Sequence, residues 1–146
     1  MNLSKHVTLA EFQNSVSATT HGIKNEMNAS QIESAKLLCE NVFEPLRIYL
    51  NTPIKISSGF RGTQLNSFIK GASKTSQHCK GEAMDIKVGA KGFNFIKDKL
   101  EFDQLIWEFG NDDQPQWVHV SFKKSNNRKQ VLKATKQNGK TKYSSY

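Results

Sequence analysis

Three residues have the types and spacing to hold a metal ion: His78, Asp85 and His119. Asp85 lies in Ala83-Met84-Asp85-Ile86-Lys87-Val88, whose alternation predicts a strand. Met84, Ile86 and Val88 then share one face, and Ala83, Asp85 and Lys87 the other. The run Trp117 to Phe122 repeats the pattern, setting His119 beside Trp117 and Ser121 and opposite Val118, Val120 and Phe122. Gly81 lets the chain turn, so that His78 can fold back over the Asp85 strand. Singly, each histidine reads as an ordinary loop or strand residue. The chain has only four, however, and two fall on this pattern. Two imidazoles and a carboxylate make a zinc set with an open fourth position, suited to hydrolysis. Non-heme iron uses the same three ligand types, and the spacing leaves both metals open.

The elements that must position these residues follow from periodicity and capping signals. Thr8-Leu9-Ala10-Glu11 has capping-box spacing and predicts a short helix from Leu9. Ser15 to Asn28 reads as a polar loop. A second capping box, Ser30-Gln31-Ile32-Glu33, precedes Ile32, Ala35, Leu38, Cys39, Val42, Leu46 and Tyr49 at helical spacing. This predicts one long helix over 31–50, kinked at Pro45, with Cys39 as a small core residue. Strands are expected over 54–57, 83–88, 104–109 and 117–122. Ser58 to Gly62 reads as a tight turn, followed by a helix through Leu65, Phe68 and Ile69 ending near Gly71 and a polar loop from Ala72 to Lys80. Phe93, Ile96 and Leu100 predict a further helix, and Asn111 to Gln116 a turn-rich loop. Helices come first and strands mostly later. The expected class is therefore α+β, with helices packed on a small, mainly antiparallel sheet that carries the metal site.

At 146 residues the chain has the length of one domain. Nine Phe, two Trp and three Tyr can fill a core. No apolar run reaches the length of a membrane span, and two cysteines, Cys39 and Cys79, are too few for a disulfide scaffold. The net charge of +8 is unevenly placed. Residues 1–122 hold 13 basic and 13 acidic side chains, whereas residues 123–146 hold eight basic ones and no acid. The expected organisation is a catalytic body over 1–122 and a basic C-terminal tail over 123–146. Such a tail either solvates the chain or attracts polyanions. A nucleic-acid binder is disfavoured by the lack of a helix-turn-helix pattern or a stacking motif.

Ser76-x-His78-x-x-Gly81-x-Ala83-x-Asp85, followed by Trp117-x-His119, resembles the zinc D-Ala-D-Ala carboxypeptidase and murein endopeptidase family. Ser57-Ser58-Gly59-Phe60-Arg61 is similar to a further segment of that family, and Asp103-Gln104-Leu105-Ile106 with Trp117 to Phe122 to its small, phage-associated, endolysin-like branch. The resemblance covers about residues 5–122. It implies zinc held by His78, Asp85 and His119, and Arg61 on a substrate carboxylate or carbonyl, a task to which its planar fork is suited. It implies that Ser76 orients substrate or the ligand loop. The implied substrate is the stem peptide of peptidoglycan, with anionic wall polymers as further partners of the basic tail. No secretory signal is visible after Met1, so the expectation is synthesis in the cytoplasm and action on the wall after release or as part of a virion.

One position departs from the family pattern. Its better-known members carry an acid three residues before the last ligand histidine, as general base; here that residue is Gln116, which cannot accept a proton at neutral pH. Glu108 is the first substitute, on the strand expected beside that of His119, and Asp112 and Asp113 in the intervening loop are the others. If none approaches the site, a zinc-bearing wall-binding or virion module without catalysis becomes the better reading. Cys79, adjacent to His78, reads as a bystander.

Overall fold

A computed structural model describes residues 1–69, 73 and 75–146 of the chain. The N-terminal third is mainly helical. A short pair of strands, β1 (Asn2–Ser4) and β2 (Val7–Thr8), leads into α1 (Leu9–Gln13). Thr8 caps α1 as expected, its hydroxyl accepting from the Glu11 N–H at 3.1 Å. The segment read as a loop from Ser15 contains a further turn of helix, α2 (Val16–Thr20), capped by the Ser15 hydroxyl. The capping box of the next helix, α3 (Ala29–Leu38), lies two residues earlier than expected. Asn28 accepts from Gln31 N–H, and the Gln31 side chain accepts from Asn28 N–H at 2.8 Å.

The predicted long helix has no simple kink. α3 widens into a π-helical segment, Cys39–Phe43, and resumes as α4 (Glu44–Leu50). In the wide turn Glu44 N–H bonds Cys39 O, five residues back. Pro45 thereby falls in the first turn of α4, where a missing N–H breaks nothing. Cys39 is fully buried, and burial pushes its thiol up to about 12, as a core residue requires.

The C-terminal two-thirds build a six-stranded sheet. In chain order it contains β3 (Lys55–Ser58), the short helix α5 (Thr63–Asn66), a 3₁₀ turn (Gln77–Lys80), β4 (Ala83–Lys87), α6 (Gly89–Lys99), β5 (Gln104–Glu108) and β6 (Trp117–Ser121). Two more strands follow, β7 (Gln130–Gln137) and β8 (Lys140–Ser145). The spatial order is β3-β4-β6-β5-β7-β8, antiparallel except for the β5/β7 pair. The class is α+β, as expected. α5 ends at Asn66, so the expected helix stops short of Phe68 and Ile69, which lie in a turn; the positions of its expected end near Gly71 and of the loop start at Ala72 lie outside the described residues.

Alternation sorts the sheet into two faces. Met84, Ile86, Leu105, Trp107, Val118 and Val120 are buried on the face covered by the helices, where they meet Leu38, Val42, Leu46, Phe93 and Ile96. Phe93 of α6 stands edge-on to Trp107 at 5.2 Å. Burying an aromatic of that size contributes about 3 kcal/mol. The opposite face carries Asp85, Ile106, Glu108 and His119.

Residues 123–146 are not the solvated tail that their composition suggested. β7 pairs in parallel with β5 over five residues, and β8 pairs with β7 over six. Asp103, fully buried, ties the connection down: its carboxylate accepts from Arg128 Nε at 3.0 Å and from the Arg128 guanidinium at 2.8 Å. Against burial, which raises it, these bonds and the nearby charges hold the Asp103 carboxyl down at about 2. Tyr146 packs on Phe93 and Trp107 at 4.8 and 5.9 Å. Eight basic side chains with no acid among them resemble a charged tail in composition, and lysines of this kind also belong at a sheet edge.

Candidate metal centre

His78 sits in the 3₁₀ turn before β4. Two local features shape that turn. The Ser76 hydroxyl caps it, accepting from His78 N–H at 3.2 Å, and Gly81 closes it at φ +75. A Cβ on Gly81 would meet Gln31 O at 2.5 Å, so glycine is needed for conformation and for space. Gln31 also donates to Cys79 O at 3.1 Å, fastening the turn to α3. Ser76 thus touches the ligand turn through its hydroxyl, and it also lines the open side of the site.

The His78 ring is 2 % exposed, with Nδ1 2.7 Å from Gly59 O. A carbonyl only accepts, so Nδ1 carries the proton and Nε2 keeps its lone pair for the site. Burial is the main cause of a lowered His78 pKa, and it keeps the ring neutral as a ligand must be. Gly59 is itself constrained, since a Cβ there would lie 2.4 Å from Phe12 O.

Asp85 and His119 are register partners on β4 and β6. Asp85 Oδ1 is 3.0 Å from His119 Nδ1 and 3.4 Å from His78 Nε2. Burial alone would raise the Asp85 carboxyl, but the two imidazoles that face it, His78 and His119, outweigh burial and hold it far below the usual range. One ligand atom from each residue lies within 4.8 Å of the other two. A neutral, oriented imidazole, a second imidazole and an ionised carboxylate on one small volume fit zinc: two nitrogens, one oxygen and an open side.

The open side is a groove of about 900 Å³. Arg61 lines it, and its Nε is buried with no hydrogen-bond partner among the described residues. The Arg61 segment is clamped by Asn25, which the sequence marks only as part of the polar loop from Ser15 to Asn28. Asn25 donates to Gln13 O at 2.8 Å and to Phe60 O at 2.9 Å, and accepts from Gly62 N–H at 2.8 Å. An isolated asparagine in a polar stretch carries no sequence signal for such a role.

Glu108 also lines the groove. The register sets Ile106 opposite His119 and Glu108 opposite Trp117, so Glu108 faces the metal-ligand side of the sheet. It is 7 % exposed, and burial, with a smaller contribution from Asp85, pushes its carboxyl up to about 7 against the pull of His119. The loop acids lie elsewhere. Asp112 is exposed and paired with Lys133, and Asp113 is exposed. Gln116 is exposed as well, its backbone bonded to Glu108 O and to Lys87 Nζ.

A model of the peptidase M15 family matches residues 5–121. The chain belongs to the peptidase M15 family. No curated protein matches the chain. M15 peptidases are zinc-dependent metallopeptidases with peptidoglycan-type substrates, and the His78–Asp85–His119 group supplies the matching ligand set. The M15 match ends where β6 ends, leaving β7 and β8 outside it.

Proposed function

We propose that this M15 peptidase cleaves the stem peptides of peptidoglycan, with Glu108 as the general base and Arg61 as the substrate anchor. One observation carries the reading: a buried carboxyl with a pKa near 7 shares a groove with three convergent metal ligands. Burial of that kind is how a general base is poised near neutral pH.

His78, Asp85 and His119 would hold the zinc. Zinc, when bound, supplies a water of lowered pKa and polarises the scissile carbonyl. Glu108 takes a proton as water oxygen attacks the carbonyl carbon, and returns it to the departing amine as the C–N bond breaks. The second water proton leaves with the new carboxyl group and is taken up by the amine, so the products are a carboxylate and an ammonium, and the carboxylate of Glu108 is regenerated. Such a proton shuttle contributes ~10²–10⁴-fold. Arg61 has an unfilled Nε and a planar fork, suited to the substrate's carboxylate or carbonyl. Gln116 argued for a module without catalysis; Glu108 in the groove favours the enzyme.

The surrounding expectations belong to the same proposal. The lysines of β7 and β8 adsorb the protein to anionic wall polymers, and the enzyme acts on the wall after release from the cell or as part of a virion. Digestion of purified peptidoglycan by the zinc-loaded chain, with mass analysis of the fragments, tests the reading. New amine and carboxylate ends within stem peptides are expected, lost on chelation and in Glu108→Gln. Undigested peptidoglycan with a stoichiometrically metallated protein would overturn it.

A further inference from the structure

The groove wall opposite His78 is built by strands that the family match does not reach. β7 runs parallel to β5, with Ile106 opposite Leu132 and Glu108 opposite Ala134. Strand alternation therefore puts Leu132, Ala134 and Lys136 on the face of Glu108. On β8, Tyr143 is opposite Ala134 and Thr141 opposite Lys136. Glu108, Ala134 and Tyr143 form one cross-strand row, with the smallest side chain in the middle. Leu132, Lys136, Thr141 and Tyr143 all line the groove. Tyr143 feels the charges of Glu108 and Asp85, and burial together with these raises its pKa. Its phenol thus stays a donor.

The charges on this wall are not equivalent. Arg128 and Lys123 also line the groove, but both are engaged by Asp103. Lys133 faces away and pairs with Asp112. Lys136 has no carboxylate partner among the described residues, and its ammonium stands 5.5 Å from the centre of the Phe109 ring. That ring, itself in the groove lining, steadies the lysine without neutralising it. The wall is anchored from behind by Tyr146 on Phe93 and from below by Arg128 on Asp103.

We infer that the β7–β8 hairpin is a substrate subsite, in which Lys136 takes a carboxylate of the bound peptide and Tyr143 borders the peptide beside Glu108. By strand geometry the Lys136 Cα lies about 8 Å from that of Glu108. An extended peptide advances about 3.3 Å per residue, so the carboxylate belongs within about three residues of the cleaved bond. This rests on the stem-peptide reading, which supplies a suitable group: the free α-carboxylate of a γ-linked D-glutamate.

The probes are the peptide L-Ala-γ-D-Glu-L-Lys-D-Ala-D-Ala and its counterpart with D-isoglutamine, which has an amide in place of that carboxylate. Binding to the full-length, zinc-loaded Glu108→Gln chain is read from the change in tryptophan fluorescence, since Trp117 lines the groove while Trp107, the other tryptophan, is buried in the core. A preference of about fivefold for the acid is expected, the upper scale of a solvent-exposed ion pair. Lys136→Gln should abolish the preference, and Lys142→Gln, on the other face of β8, should keep it. Tyr143→Ala should weaken both peptides. Equal binding of acid and amide, or a preference that survives Lys136→Gln, overturns the subsite. Cleavage by the parent chain is scored separately: discrimination in binding without any cleavage upholds the subsite and removes the peptidase reading.

Discussion

Replacing Glu108 by Gln should make the metal-free protein more stable while it removes the activity, and the gain should depend on pH. Moving a carboxyl from 4.5 in the unfolded chain to about 7 in the folded one costs about 3 kcal/mol when the group must ionise. Glu108 is 7 % exposed, so solvent relieves little of this. Below about pH 4.5 the carboxyl is protonated in both states and contributes no pH dependence. Between 4.5 and 7 the unfolded chain releases its proton first, and the parent loses up to about 1.4 kcal/mol of stability per pH unit. Above 7 both states are ionised and the cost is complete. Glutamine has the same shape and no proton to lose, so Glu108→Gln should gain about 3 kcal/mol on the parent between pH 4.5 and pH 8. Urea unfolding of both chains in chelator at these two pH values reads the difference, and any packing offset cancels between them. A variant whose advantage is the same at both, within about 0.5 kcal/mol, would refute the buried-carboxylate argument. The zinc-loaded variant should lose ~10²–10⁴-fold in peptidoglycan digestion at pH 7.5, which identifies the destabilising group as the working one.

The other outcomes follow from the same contacts. Elemental analysis should find one zinc per chain, falling below stoichiometry in His119→Ala. Arg61→Lys keeps the charge but loses the fork, and should lower kcat/KM by about tenfold or more with zinc content unchanged. Asp103→Asn weakens the bonds of a buried carboxylate to a half-exposed Arg128 and should cost about 1–2 kcal/mol in urea unfolding, with a protein of unchanged stability arguing against its anchoring role. Deleting residues 123–146 strips β5 of its parallel partner and Trp107 of Tyr146; circular dichroism and gel filtration should find the truncated chain unfolded or aggregated, and a soluble native-like product would restore the detachable tail.

What could be read from the sequence was whatever depends on period and type alone. The two strands carrying Asp85 and His119 alternate cleanly, and alternation fixes which face a side chain takes, so their convergence was visible before any coordinates. Cys39 in the core followed from the apolar stripe in the same way. The misses come from interactions that a local window does not contain. Pro45 signalled a kink, but whether a helix bends or widens into a π turn is decided by how both halves pack, and here Cys39, Val42 and Phe43 are all held in the core across the wide turn. β7 and β8 look like a tail in composition because their four lysines meet no acid and their apolar residues are few. Their pairing is specified by β5, some twenty residues upstream, and by the buried Asp103 that their connection needs.

Glu108, the proposed general base, is the case where the two levels combine. At Gln116 the sequence pattern breaks, and read locally that break argues for an inactive protein. In the sheet, Gln116 lies outside the groove lining while Glu108, eight residues earlier, lies within it. The β5/β6 register explains the exchange. Glu108 pairs with Trp117, two residues before His119 and on the same face, so a carboxyl at 108 reaches the ligand side from the neighbouring strand. A base on a strand paired over four positions is held more firmly than one on the loop from Asn111 to Gln116, whose acids are solvated or spent on Lys133. The burial that raises the Glu108 pKa is the same burial that fixes its side chain, so position and proton affinity are set by one packing arrangement. If Glu108→Gln abolishes digestion, the acid missing from its expected place in the chain stands at the same place in the sheet.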